Sequence, residues 1–100
     1  MLHTVNKSPS EKNSLDTCFR LAKPGSAILL IEDGVYAAMS GTSAEQKMRD
    51  ATSRYDVYVL EPDLKLRGLD HDRIVEGIKI VGYDDFVDLA VKHRRVQSWL

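Results

Sequence analysis

The sequence has 100 residues, 43% hydrophobic and 29% charged, with 14 Lys+Arg against 15 Asp+Glu and a formal net charge of −1. That is one domain's worth of chain with enough apolar content for a core, which excludes a disordered, charge-expanded polymer. The near-neutral balance also lacks the basic excess of a domain that wraps nucleic acid, so no direct nucleic-acid partner is expected.

In chain order, Leu2 to Val5 is a short apolar–polar segment able to pair as a strand. Ser8-Pro9-Ser10-Glu11 has the form of a capping box with proline at the first helical position. Leu15, Cys18, Phe19 and Ala22 then recur at spacings of three and four, one apolar stripe of a helix that Pro24-Gly25 stops. Ser26 to Glu32 contains the run Ala27 to Ile31, whose length and branched content suit a strand covered on both faces. Asp33-Gly34 ends it, and Val35 to Met39 reads as a short helical turn. A helix over Ser43 to Arg54 carries Ala44, Met48 and Ala51 on one side. Tyr55 to Leu60 is a strand, Pro62 opens a short helix ending at Gly68, and Ile78 to Val81 is a further strand. Asp84 and Asp85 are placed to cap the helix that runs to His93 and to oppose its dipole. Phe86, Val87, Leu89, Ala90 and Val91 spread around most of that helix, which predicts burial on more than one side. Val96 to Leu100 can form a last strand.

Strands separated by helices, with uninterrupted apolar cores, predict a three-layer α/β/α sandwich around a mostly parallel sheet of four to five strands, a single domain over residues 1–100. Ligands of such sheets sit beyond the carboxyl ends of the strands, which directs attention to Asn6–Glu11, Asp33–Tyr36, Glu61–Leu64 and Gly82–Asp85. The longest apolar run is too short to cross a bilayer, and Met1 to Lys7 lacks a signal peptide's basic stretch and apolar core. A single cysteine makes an internal disulfide framework impossible. A cytoplasmic domain without a membrane partner is expected.

Few residues can carry chemistry. Neither a Walker pattern nor a dinucleotide fingerprint follows a strand, so no nucleotide cofactor is expected. Asp70-His71-Asp72 gathers three possible metal ligands, but sequence neighbours rarely converge on one ion, and no metal site is assigned. His3 is expected to be a hydrogen-bonded structural histidine, and His93, with Lys92, Arg94 and Arg95, a cation at a helix C-terminus. Gly34 reads as the residue of a tight turn, and Asp33 as a helix cap or a carboxylate presented at the sheet edge. Cys18 is the one candidate for covalent sulfur chemistry, the catalytic position if this chain has one. Its place on the apolar stripe, away from a helix N-terminus, favours core packing, because a sulfur carrier needs an accessible thiol of lowered pKa.

Several segments together are familiar: Leu2-His3-Thr4-Val5-Asn6-Lys7-Ser8-Pro9, then Leu29 to Ala38 (LLIEDGVYAA). Val57 to Leu60 with Asp63-Leu64 and Arg67-Gly68-Leu69, Tyr83 to Leu89 with Val91-Lys92-His93, and Val96 to Trp99 continue the match. In register over essentially the whole chain, the sequence resembles the DsrH/TusB family, although no single piece is a catalytic signature. The resemblance implies a DsrE-like fold and a role as the smallest subunit of a heterohexamer with DsrE/TusD-like and DsrF/TusC-like chains. Such complexes pass persulfide sulfur to a DsrC/TusE-like carrier, for sulfur oxidation in the Dsr branch or 2-thiolation of tRNA wobble uridine in the Tus branch. The resemblance puts the principal sulfur-accepting cysteine in the DsrE/TusD-type partner, so this chain is expected to complete the assembly rather than catalyse. Cysteine in the first helix resembles the DsrH type, where Tus-type chains can carry an aliphatic residue. Two other readings stay open: a sulfurtransferase using Cys18 as persulfide carrier, which a reactive Cys18 would mark, and a stand-alone homo-oligomeric binding domain, which partner-free stability would mark.

Overall fold

Five strands form one sheet: β1 (Leu2–Val5), β2 (Ala27–Leu30), β3 (Asp56–Leu60), β4 (Lys79–Val81) and β5 (Val96–Trp99). In this computed structural model, which describes residues 1–11 and 13–100, their order is β4-β3-β2-β1-β5 and every neighbouring pair is parallel. The helices α1 (Ser14–Leu21), α2 (Glu45–Thr52), α3 (Glu61–Leu66) and α4 (Tyr83–His93) supply the crossovers, with 3₁₀ segments at Glu32–Ala38 and His71–Arg73.

The direction of each crossover decides which face its helix covers. From β1 to β4 the chain steps one way across the sheet, and α1, α2 and α3 pack on one face. The return from β4 to β5 runs the opposite way. A crossover of constant hand must then place its helix on the opposite face, and α4 lies there. The result is the three-layer α/β/α sandwich expected, with a sheet that is wholly rather than mostly parallel.

Alternation along the strands divides the core accordingly. Val5, Ile28, Leu30, Val57 and Val59 face the thick layer and pack with Leu15, Cys18, Met48, Ala51 and Leu64. Leu2, Ala27 and Leu29 face α4, meeting Leu89 with Phe86 and Ala90 at its margin. The central strands β1 and β2 are buried throughout, which is why β2 reads as a continuous apolar run.

Three expectations change. The segment at Ser8–Glu11 is a local turn, with Glu11 N–H donating to the Ser8 carbonyl and Ser10 N–H to Ser8 Oγ, and α1 begins only at Ser14. A serine that satisfies a neighbouring backbone donor can close a turn without propagating a helix. Second, α4 is not buried all round: of its residues only Leu89 is fully buried, while Val87 is 61% and Val91 73% exposed. One helix over a sheet meets it along a single side, and among the described residues nothing covers the other. Third, His93 stands in the last turn of α4 as expected, but burial, then the N-terminal ammonium and Lys92, lower its pKa against the pull of Asp56 and so disfavour its charged form.

Candidate functional site

Parallel strands bring all their carboxyl ends to one edge, and three loops of this chain converge there. Asn6 follows β1, Glu32–Asp33 follow β2, and Glu61–Asp63 open α3 directly after β3. Ile31 N–H donates to the Val5 carbonyl at 3.0 Å, so the β2 loop folds back onto the end of β1. Gly34 makes that approach possible: a Cβ there would stand 2.1 Å from the Val5 carbonyl oxygen. The glycine also closes the tight turn expected of it, its N–H donating to the Ile31 carbonyl at 2.8 Å. Glu32 holds the left-handed backbone region at φ 50°, a strained state for a residue with a side chain.

Side chains then lock the edge. Glu32 N–H donates to Asp63 Oδ2 at 2.6 Å, so the first residue of the β2 loop is fixed by α3. Arg67 Nε donates to Asp33 Oδ1 at 3.0 Å, and Arg67 Nη1 donates to the Asp63 carbonyl at 3.2 Å. Asp33 therefore presents its carboxylate to Arg67 and makes no cap to the 3₁₀ segment. Asn6 Nδ2 donates to Glu32 Oε2 at 3.5 Å, while Asn6 Oδ1 is buried without a partner among the described residues. Turning the amide over would set its oxygen against the Glu32 carboxylate, so the orientation is fixed by charge.

Beside this network lies a cavity of about 320 Å³ lined by Ser8, Pro9, Ser10, Asp33, Tyr36, Thr42, Ser43 and Ala44. Its walls supply hydroxyls and one carboxylate, and no thiol. The loops Asn6–Glu11, Asp33–Tyr36 and Glu61–Leu64 thus meet as topology requires. Gly82–Asp85 stays at the far end of the sheet on β4, where Asp85 Oδ2 accepts from Gly82 N–H at 3.0 Å as a helix cap.

Cys18 is elsewhere. It sits at 0% exposure under α1 among the thick-layer core residues, and burial pushes its thiol up to about 12. Among the described residues no cation compensates: Arg20 is exposed in the last turn of α1, and the Cys18 side chain has no ion or hydrogen-bond partner. Asp70-His71-Asp72 do not converge either, since Asp70 Oδ1 accepts from Asp72 N–H and His71 Nε2 lies 3.3 Å from Glu61 Oε2. Among the described residues no group of three or more potential ligands could hold a metal ion.

His3 is 5% exposed and stacks on Trp99, whose indole Nε1–H donates to His3 Nδ1 at 3.0 Å. This is the hydrogen-bonded structural histidine the sequence suggests, and burial followed by the N-terminal ammonium lowers its pKa. The Trp99 partner is unreadable in the sequence, because only the β1–β5 register sets residues 3 and 99 on one face of adjacent strands. Asp63 falls in the loop the sequence singles out, whereas Arg67, just past the end of α3, does not, although its spacing of four from Asp63 is the signal that places the two on one side.

Comparison with known proteins bears on the whole chain. A family described as DsrH like protein matches residues 7–96. Protein TusB of Pectobacterium atrosepticum is 36% identical over 99% of this chain and 100% of its own length, and Protein TusB of an Escherichia coli strain is 39% identical over the same shares. Among solved structures, the ychN protein of E. coli superposes with a TM-score of 0.83 over 97% of both chains at 18% identity, which is a likeness of fold. A protein of unknown function from Methanobacterium thermoautotrophicum does so at 0.70 over 97% of this chain and 95% of its own, at 15% identity. No helix of the described residues is long and apolar enough to cross a membrane. Full-length identity to TusB proteins, the DsrH match and the shared fold together place this chain in the DsrH/TusB family of sulfur-relay subunits.

Proposed function

We propose that this single-domain chain is a non-catalytic subunit of a cytoplasmic sulfur-relay complex, assembled with DsrE/TusD-like and DsrF/TusC-like subunits in a heterohexamer that serves a DsrC/TusE-like carrier. The observation that carries the reading is the state of the only thiol. Persulfide relay is thiol–disulfide chemistry, in which a thiolate attacks the persulfide sulfur and the outer sulfur moves across. A thiol at 0% exposure and a pKa of about 12 offers neither the anion nor the access. What the chain does offer is surface: Tyr83, Val87, Val91 and Leu100 are large apolar side chains left in water, more than a lone small domain has reason to display.

Full-length relatives named TusB favour the branch that ends in tRNA 2-thiolation over sulfur oxidation. The cysteine that resembles the DsrH type lies in the core, where an aliphatic side chain would meet the same apolar neighbours, so it does not favour either branch. The test is to assemble the complex with its partner chains, load it from a persulfide donor and weigh each chain. Sulfur is expected on a partner chain and absent from this one, with Cys18 unmodified by a thiol-reactive probe. Sulfur on Cys18 would transfer the carrier role to this chain.

A further inference from the structure

The amino-terminal edge of the sheet has the opposite character from the carboxyl edge. Chain segments entering the strands bring Lys23, Arg54, Arg94 and Arg95 to that edge, with Asp56 and Glu76 toward β3 and β4, whereas segments leaving them bring Glu32, Asp33, Glu61, Asp63, Asp84 and Asp85 to the other, against Lys7, Lys65 and Arg67. Backbone bonds knit the basic edge into a fixed frame: Leu2 N–H donates to the Arg95 carbonyl, Gly25 N–H to the Arg54 carbonyl and Asp56 N–H to the Ser26 carbonyl. A cavity of about 410 Å³ opens there, with His3, Lys23, Ser26 and Arg95 as its polar walls and Leu21 and Pro24 among its apolar ones.

His3 makes this more than a patch of surface cations. Because the Trp99 indole can only donate, His3 Nδ1 must accept, and the imidazole proton is therefore on Nε2. That Nε2–H has no partner among the described residues, although the side chain is more than nine-tenths buried and lines the cavity. The Nε2–H is reached from solvent and so is free to donate to a ligand, and the exposed Lys23 and Arg95 line the same cavity. The Ser26 hydroxyl, on a residue only 6% exposed, lines the same space.

We infer that this cavity is a binding site for a phosphate-type oxyanion, free or as the end group of a small organic ester, held by His3 Nε2–H, Lys23 and Arg95. The guanidinium supplies paired donors, the ammonium a point charge, and the imidazole a donor fixed in direction by Trp99. Leu21 and Pro24 give an ester's organic part an apolar wall. This site is separate from the sulfur-relay reading and does not depend on it.

The test is titration of the full chain at pH 7 and constant ionic strength with inorganic phosphate and, separately, with a phosphomonoester such as AMP. The readouts are fluorescence of the sole tryptophan, Trp99, and the His3 ring resonances. Saturable change of both signals with either probe is the expected result, the free ion sufficing if the site reads the oxyanion alone and the ester binding tighter if the apolar wall is used. Lys23→Gln with Arg95→Gln, two surface changes that leave the His3–Trp99 pair in place, should weaken binding at least tenfold. His3→Phe should weaken it too while the double variant guards against a merely unfolded His3 variant. No saturable change with either probe, or binding unaffected in Lys23→Gln/Arg95→Gln, overturns the inference.

Discussion

At Cys18 burial pushes the thiol up to about 12, so the attacking thiolate is scarce at pH 7. Cys18→Ala should therefore leave sulfur transfer by the assembled complex unchanged and cost about 1–2 kcal/mol of stability, read as a lower melting temperature. Cys18→Ser should cost more, because its hydroxyl would enter the apolar layer without a partner. Gly34 is the other residue with a sharp role. Gly34→Ala drives a Cβ into the Val5 carbonyl, and about 3 kcal/mol of destabilisation is expected by thermal unfolding. His3 sets a pH dependence whose sign follows from its lowered folded pKa. Its neutral form is favoured by the fold, so its share of stability is present above the unfolded value of about 6.5 and is lost as pH falls below it. Melting temperatures at pH 7.5 and 5.5 should differ by less in His3→Phe than in the parent, with His93 contributing the remainder in the same direction.

Among the elements, α4 carries the exposed apolar surface on which the proposed assembly is tested. Its inner side, through Leu89 and Phe86, closes the second face of the sheet, and its outer side presents Tyr83, Val87 and Val91 at helical spacings of four. Val87→Asp should change the stability of the isolated chain by no more than about 0.5 kcal/mol, since the side chain is 61% exposed. If that face is covered in the complex, the same change should weaken association with partner chains by at least about tenfold in a binding titration. The strands and helices were legible in the sequence because β2 and β3 are branched apolar runs and α1 and α2 carry clean stripes. The outer side of α4 was misread for a physical reason. Apolar residues all round a helix signify burial by something, and sequence periodicity does not say whether the cover is the same chain or another. The turn at Ser8–Glu11 was misread because a serine that caps a turn and a serine that caps a helix make the same local bond.

For the whole molecule, topology rather than any motif assembled the site. Parallel strands sent Asn6, Glu32, Asp33 and Asp63 to one edge and Lys23 and Arg95 to the other, which could be anticipated loop by loop. The pairings Asp33–Arg67, Glu32–Asp63 and His3–Trp99 could not, because they depend on loop geometry and strand register that leave no trace in spacing. Full-length similarity to TusB proteins supports a sulfur-relay subunit, and the buried thiol supports the proposal that this chain builds a complex without carrying sulfur. Native mass spectrometry of the tagged chain recovered from its own cells tests that account most directly. Recovery in a six-chain assembly with two different related small subunits is the predicted result. Recovery only as a monomer or as a homo-oligomer would contradict it.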